Sequence, residues 1–406
     1  MRPILASEPR EQWPGEALDD LLCDAQSGFA SGERASDGVI QLRMNNVSTD
    51  GTLNLADTLR VPASKAQVAK YRLLPGDVLF NSTNSPELVG KTTIFPGYPE
   101  PVVFSNHFLR LRVDSGKLDP RYLARWFTHQ WNQRVFQGLC TQWVNQAAVR
   151  KDDLLALKVP LPPLPEQRRI AAILERADRL RRLRRYALEL SAGYLQAVFV
   201  EMFGDPVRNP NGWKIGSIGD VLDSSQYGTS QKSNSEQRGY PVLGMGNITY
   251  SGSLDLTSLA YVDLTKTEFE SLRLQPGDII FNRTNSTELV GKTAHWNIPL
   301  DAVIASYLVK LRLKQGVRPE YFTVLLNSPY YKHLFRTRCK EAIGQSNVSP
   351  TLLAEFPVMI PPVLMQQEFA HIAWKHDRLR AQQREAARQA EQLFGALLNR
   401  AFRGEL

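Results

Sequence analysis

"FNSTNSPELVGKT", Phe80–Thr92, returns as "FNRTNSTELVGKT", Phe281–Thr293, with eleven of thirteen positions identical at an offset of 201 residues. The repeat extends outward from there. "MNNVSTDGTLNL" (Met44–Leu55) matches "MGNITYSGSLDL" (Met245–Leu256), and "LPGDVLF" (Leu74–Phe80) matches "QPGDIIF" (Gln275–Phe281). "LRLRV" (Leu109–Val113) answers "VKLRL" (Val309–Leu313), "DPRYL" (Asp119–Leu123) answers "RPEYF" (Arg318–Phe322), and "VPLPPL" (Val159–Leu164) answers "VMIPPV" (Val358–Val363). Matched blocks in one order, about 200 residues apart, are too widely spaced for a solenoid and mean a duplicated domain.

Each copy of the motif ends in Gly-Lys-Thr, which invites a phosphate-binding loop. That loop needs a first glycine where this chain has Ser85 and Ser286, and a helix after the threonine. The pattern fits better a β-turn-β element in which Gly90 and Gly291 make the turn.

Within each half the first part mixes β and α. "DVLFN" and "DIIFN" are short apolar runs after Pro-Gly, and "FLRLRVD" and "YLVKLRLK" alternate as half-buried strands do. Pro162-Pro163 and Pro361-Pro362 then stop that structure, and long helical patterns follow. The expected seam of the first runs Ile170, Ile173, Ala177, Leu180, then Arg184 at mid-helix; that of the second runs Phe369, Ile372, Leu379, Gln383, Leu393. A heptad pattern of this length calls for a helical partner, and each helix is the other's obvious one. The same seam argues against reading Arg168–Arg185 as a basic DNA-binding helix. The expected organisation is α+β: domains at 1–160 and 205–360, helical spacers at 161–204 and 361–406, and the two helices paired antiparallel as a coiled coil.

Composition bounds the rest. The chain has 406 residues, 43% of them apolar, and a formal charge of +8. The charge suits a polyanionic partner but forms no basic tail. No run is apolar enough for a membrane span, and the N-terminus lacks the basic-then-apolar order of a signal peptide. The three cysteines, Cys23, Cys140 and Cys339, are scattered, as in a reduced cytoplasmic protein. The residues of an enzyme are missing. There is no Asn-Pro-Pro-aromatic tetrapeptide, the only GxG is Gly244–Gly246, no acid-x-Lys triplet occurs, and the six histidines do not cluster. The chain is therefore expected to bind, with no cofactor or metal of its own. A self-contained methyltransferase or nuclease with unrecognised motifs, or a coiled-coil adaptor for proteins, are the alternatives.

The order globular domain, "PLPPLPEQRRIAAILERADRLRR" helix, "EMFGDP" junction, second globular domain, second helix resembles the specificity (S) subunit of Type I restriction-modification systems over essentially the whole chain. "KVPLPPLPEQRRIAAIL" (Lys158–Leu174) and the Pro-Gly-Asp strands carry the resemblance most specifically. It implies two target-recognition domains, each reading half of a split site on double-stranded DNA. It also implies helices that dock two modification (methyltransferase) subunits, with a restriction (translocase-nuclease) subunit joining through those. The second copy departs from the pattern, with "PPVLMQQEFAHIAW" where the first has Pro165 and Glu166.

Duplication sorts the candidate DNA contacts. Residues shared by both copies do not distinguish two half-sites, so Asn81, Thr83, Asn84, Ser85, Lys91 and Asn282, Thr284, Asn285, Ser286, Lys292 read as scaffold or phosphate contacts. Positions that differ inside the matched frame are better readers: Arg283 against Ser82, and Arg43 against Gly244. Arg34 in "QSGFASGERASDG" (Gln26–Gly38), and Gln231, Lys232 and Asn234 in "QYGTSQKSNSEQR" (Gln226–Arg238), are candidates on a divergent polar loop. Asn347 in "SNVSP" stands opposite the "QAAVR" segment of the first copy.

Overall fold

The Pro-Gly turns at Pro75-Gly76 and Pro276-Gly277 open the central strands Val78–Asn81 and Ile279–Asn282, every residue of which is buried. The computed structural model describes residues 13–143, 146–342 and 345–406. Residues 1–12 lie outside them. Two units result. The first comprises the chain up to Arg184 together with Ala386–Leu406, and the second is Arg185–Glu385.

In the first unit an antiparallel four-stranded sheet runs in the order Leu22–Ser27, Phe108–Val113, Val78–Asn81, Thr92–Ile94. A second sheet sets Val39–Leu42 between Leu59–Val61 and Val102–Phe104. Short strands Thr83–Asn84, Gln146–Ala148 and Thr141–Trp143 form a third. Helix Pro120–Asn132 covers the main sheet, with Tyr122, Leu123, Trp126 and Phe127 turned inward at helical spacing.

The second unit repeats this strand for strand. Its main sheet runs Leu222–Tyr227, Leu308–Leu313, Ile279–Asn282, Thr293–His295. Even the bulge is copied: the register slips between Leu22 and Asp24 in one unit and between Leu222 and Ser224 in the other. The α+β class expected from the sequence is the class found.

Helix Leu164–Leu190 follows the first head and helix Val363–Phe402 follows the second. A buried glutamine ties each to its head. Gln167 accepts the Asp119 amide at 2.9 Å and donates to the Lys117 and Pro162 carbonyls. Gln366 accepts the Arg318 amide at 3.0 Å and donates to Pro361. The tyrosine of each Pro-x-Tyr holds the strand that leads into the helix, Tyr122 donating to the Pro160 carbonyl and Tyr321 to that of Met359.

Inside each unit the helical segments pair antiparallel. In the first, Ile170, Ala171, Leu174 and Ala177 share a core with Phe394, Leu398, Ala401 and Phe402, and Arg181 reaches Glu391 at 2.7 Å. In the second, Phe199 and Phe203 meet Phe369 edge-on, and Ser191 donates to Gln383 at 3.0 Å.

The pairing face is not quite the expected seam. Ile170, Ala177 and Phe369 are buried, and Gln383 finds a polar partner. Ile173 and Ile372 are only half-buried, Arg184 is exposed, and Leu180, Leu379 and Leu393 are 39%, 50% and 46% exposed. The buried stripe of the first helix is instead Gln167, Ile170, Ala171, Leu174, Ala177, Asp178 and Arg181. Hydropathy ranks Leu180 above Asp178, but Asp178 is neutralised by Arg125, Arg181 and Arg182 at 2.7–2.9 Å, so burial of the charges is tolerated. Burial pushes its carboxyl up, and the arginines, Arg125 foremost, more than reverse this and hold it below the ordinary range.

Candidate nucleic-acid interface

The Gly-Lys-Thr triplet is interior structure. Strand Val78–Asn81 runs through a turn to strand Thr92–Ile94, with Gly90 donating to the Asn81 carbonyl and Asn81 to the Lys91 carbonyl, both at 2.8 Å. No helix begins there. Gly90 and Gly291 sit at φ of 93° and 82°, and a Cβ on either would fall 2.4 or 2.1 Å from the ring of Phe136 or Phe335. Glycine is required for the turn, not for a phosphate.

Lys91 and Lys292 are corrected by their surroundings. Both are 7% exposed. Lys91 Nζ donates to the carbonyls of Met44 (2.9 Å) and Val47 (2.6 Å), and Lys292 Nζ to those of Met245 (2.7 Å) and Ile248 (2.6 Å). Burial lowers both ammonium pKa values. Each lysine pins a one-turn helix, Met44–Asn46 or Met245–Asn247, to the hairpin, so neither reaches a backbone phosphate in this fold. Beside the second one, Lys332 donates to the Gly291 carbonyl at 3.0 Å; burial, helped by Lys292 and Arg336, pushes it down to about 7.

The Pro-Gly-Asp carboxylates are structural as well. Asp77 and Asp278 are 2% exposed and take bidentate bonds from Arg112 and Arg312 at 2.8–3.1 Å. Asn81 and Asn282 are wholly buried. Asn81 donates to the Thr83 and His107 carbonyls and accepts from Asn84, whereas both side-chain polar atoms of Asn282 lack a partner. Thr284 is buried too, leaving Thr83, Asn84 and Asn285 half-buried at the edge.

That edge is where the two units part. Ser82 donates its amide to the His107 carbonyl (2.9 Å) and accepts from the Val149 amide (2.9 Å); Arg283 does the same with Tyr307 (3.1 Å) and Val348 (2.9 Å). Asn84 pairs with Ala147 and Thr83 with Ala148, as Asn285 pairs with Ser346 and Thr284 with Asn347. The strand pairing is therefore the same at these positions, but the side chains are not. The Ser82 hydroxyl merely returns to the His107 carbonyl at 3.2 Å. The Arg283 guanidinium donates through Nη1 to the Ser306 carbonyl at 3.2 Å and lies 5.0 Å over the ring of Tyr227, while its Nε is buried without an acceptor. Asn347 donates to the Thr284 hydroxyl at 3.3 Å.

The loop candidates divide. Arg34, Gln231 and Lys232 are exposed, Gln231 reaching Glu268 at 3.4 Å. Arg43 is half-buried and donates to the Ser31 carbonyl at 3.3 Å. Asn234 does not enter a groove: it donates to the Arg238 and Tyr261 carbonyls and accepts the Glu236 and Arg238 amides, which uses its whole amide to order the loop. Tyr227 and Tyr307 were not singled out from the sequence. They are 49% and 45% exposed, and Tyr227 against Ser27 is a mismatch between an identical glutamine and an identical glycine, the same signal that marks Arg283.

Two heads of one topology, each bound to its own stretch of paired helix, define a tandem-duplicated α+β protein with two related surfaces. The chain belongs to the family of Type I restriction modification DNA specificity domains, which matches residues 44–189 and 210–389. It is 30% identical over 213 residues to the putative type I restriction enzyme MjaX specificity subunit of Methanocaldococcus jannaschii, covering 52% of this chain and 50% of that protein. It is 23% identical over 405 residues to the Type I restriction enzyme EcoKI specificity subunit of Escherichia coli, covering 90% of this chain and 82% of that one. The fold is that of the Type I restriction-modification S subunit from M. genitalium, with a TM-score of 0.62 at 14% identity over 99% of both chains. A chain from a structure of the complex assembly and conformational transition of a type I R-M system gives 0.57 at 19%, over 99% and 100%. No helix among the described residues is long and apolar enough to cross a membrane.

Proposed function

We propose that the chain is the DNA sequence-specificity subunit of a Type I restriction-modification complex. Each head reads one half of a bipartite site on double-stranded DNA. The chain itself carries no catalysis; its helices scaffold two modification subunits and, through them, a restriction subunit, in the cytoplasm. Removal of the target base from the stack and its methylation belong to the modification subunit. The observation that carries this reading is the repetition of one hydrogen-bonded frame with two different sets of rim side chains, because identical heads would demand identical half-sites. Co-expression with the modification subunit and methylome sequencing tests it. The expected result is a gapped motif with two dissimilar halves. A continuous motif, or DNA methylation by the purified chain alone, would overturn it.

A further inference from the structure

We infer that Tyr227 and Tyr307 act with Arg283 as one readout element of the second head, and that this element recognises a guanine from the major groove. The assignment rests on the reading of the chain as a DNA-specificity subunit.

Four rim positions carry the argument. Strand register and amide bonds equate Ser27 with Tyr227, Ser82 with Arg283, His107 with Tyr307, and Ala148 with Asn347. Three of the differences are held between matched residues: Gln26 and Gly28 around the first, Asn81 and Thr83 around the second, Gln146 and Val149 around the fourth. The backbone thus presents both rims alike, and only what projects from it changes. Drift on a solvated surface would also change side chains, but it would not immobilise them. Arg283 is immobilised. Its Nη1 holds the Ser306 carbonyl and its guanidinium carbon lies 5.0 Å over the Tyr227 ring, at the cost of rotamer freedom. A guanidinium held in one pose at a part-exposed rim is pre-organised for a ligand.

The geometry also selects the base. One N–H of Nη1 is taken by Ser306, which leaves N–H groups on both terminal nitrogens for a two-pronged contact. Two parallel donors match O6 and N7 of guanine and no other base edge in the major groove. Tyr227 packs its ring against the guanidinium. Tyr307, whose carbonyl receives the Arg283 amide, is 45% exposed and stands where the first unit has His107. The first head, with Ser27, Ser82 and His107, has no such fork and must read a different pair.

The test is the methylome of cells carrying the full chain and its modification subunit. Arg283→Ala is expected to keep a gapped motif with the first half intact and to lose one G·C requirement in the second half. Methylation of the original site should fall roughly ten- to a hundredfold, the discrimination a bidentate arginine supplies. Tyr227→Ser and Tyr307→His should relax the same position more weakly. An unchanged motif for Arg283→Ala, or relaxation in the first half instead, overturns the assignment while the proposed function stands. A wild-type motif without a gap overturns the proposed function itself. Should Arg283→Ala not fold, Arg283→Lys decides: retention of the original motif at the wild-type rate counts against the fork, and relaxation at the guanine supports it.

Discussion

Lys292 and Arg283 stand nine residues apart in one motif, and they illustrate two kinds of cation. Lys292 is repeated as Lys91, is buried, and spends its donors on the same two carbonyls in both units. Arg283 has serine as its counterpart, is half-buried, and keeps part of its fork unspent. Of these two, the charge that recurs in both copies serves the frame, and the charge present in one copy stands at the rim. The difference teaches that agreement between the two copies marks frame, while disagreement marks an interface only where the side chain reaches the surface.

The contrast breaks most visibly if the lysine is removed. Lys292→Met leaves two buried carbonyls without a donor and should destabilise the second unit by about 2–5 kcal/mol, read by denaturant unfolding. If Lys292 were instead a phosphate contact, stability would hold and the salt dependence of DNA binding would fall by about one ion. Next in size is Gly291→Ala, which places a Cβ against Phe335 at a left-handed φ and should cost about 2–4 kcal/mol.

A third comparison uses pH. His129 in the first unit is pushed down to about 4, by burial first and by Arg403 second. A histidine whose folded pKa lies below its unfolded value is protonated more readily when unfolded. Its contribution is complete above about 6.5 and is lost as pH falls from there toward about 4. Between pH 7 and 4.5 the first unit should lose about 2 kcal/mol, seen as faster amide exchange in its helix Pro120–Asn132. The position matching His129 in the second unit is Ser328, so His129→Phe should flatten the profile of the first unit alone. The smallest effect on stability belongs to the rim. Ser27→Tyr combined with Ser82→Arg should shift unfolding by less than about 1 kcal/mol, yet add a guanine requirement to the first half-site in the methylome. A large loss of stability there would show that the rim is frame after all.

Much of this was legible beforehand. The duplication, the α+β class, the Pro-Gly-Asp strands and the rejection of a phosphate loop follow from matched blocks and from Ser85 and Ser286. Periodicity located both long helices but slid their seam toward Leu180, Leu379 and Leu393, because hydropathy cannot see that Asp178 and Arg181 satisfy each other. Composition likewise cannot separate a lysine that points inward from one that points out, so Lys91 and Lys292 were candidates until their carbonyl partners were known. Asn234 shares that fault, an amide used up by its own loop.

Repetition along a chain is a one-dimensional property, and so are turns, breaks and the absence of a motif; these the amino-acid order establishes outright. Which atoms of a polar side chain are already hydrogen-bonded is a property of neighbours distant in sequence: Met44 and Val47 for Lys91, Ser306 for Arg283. A donor is available to DNA only if the fold has not used it, and folding alone brings those competitors within 3 Å or so.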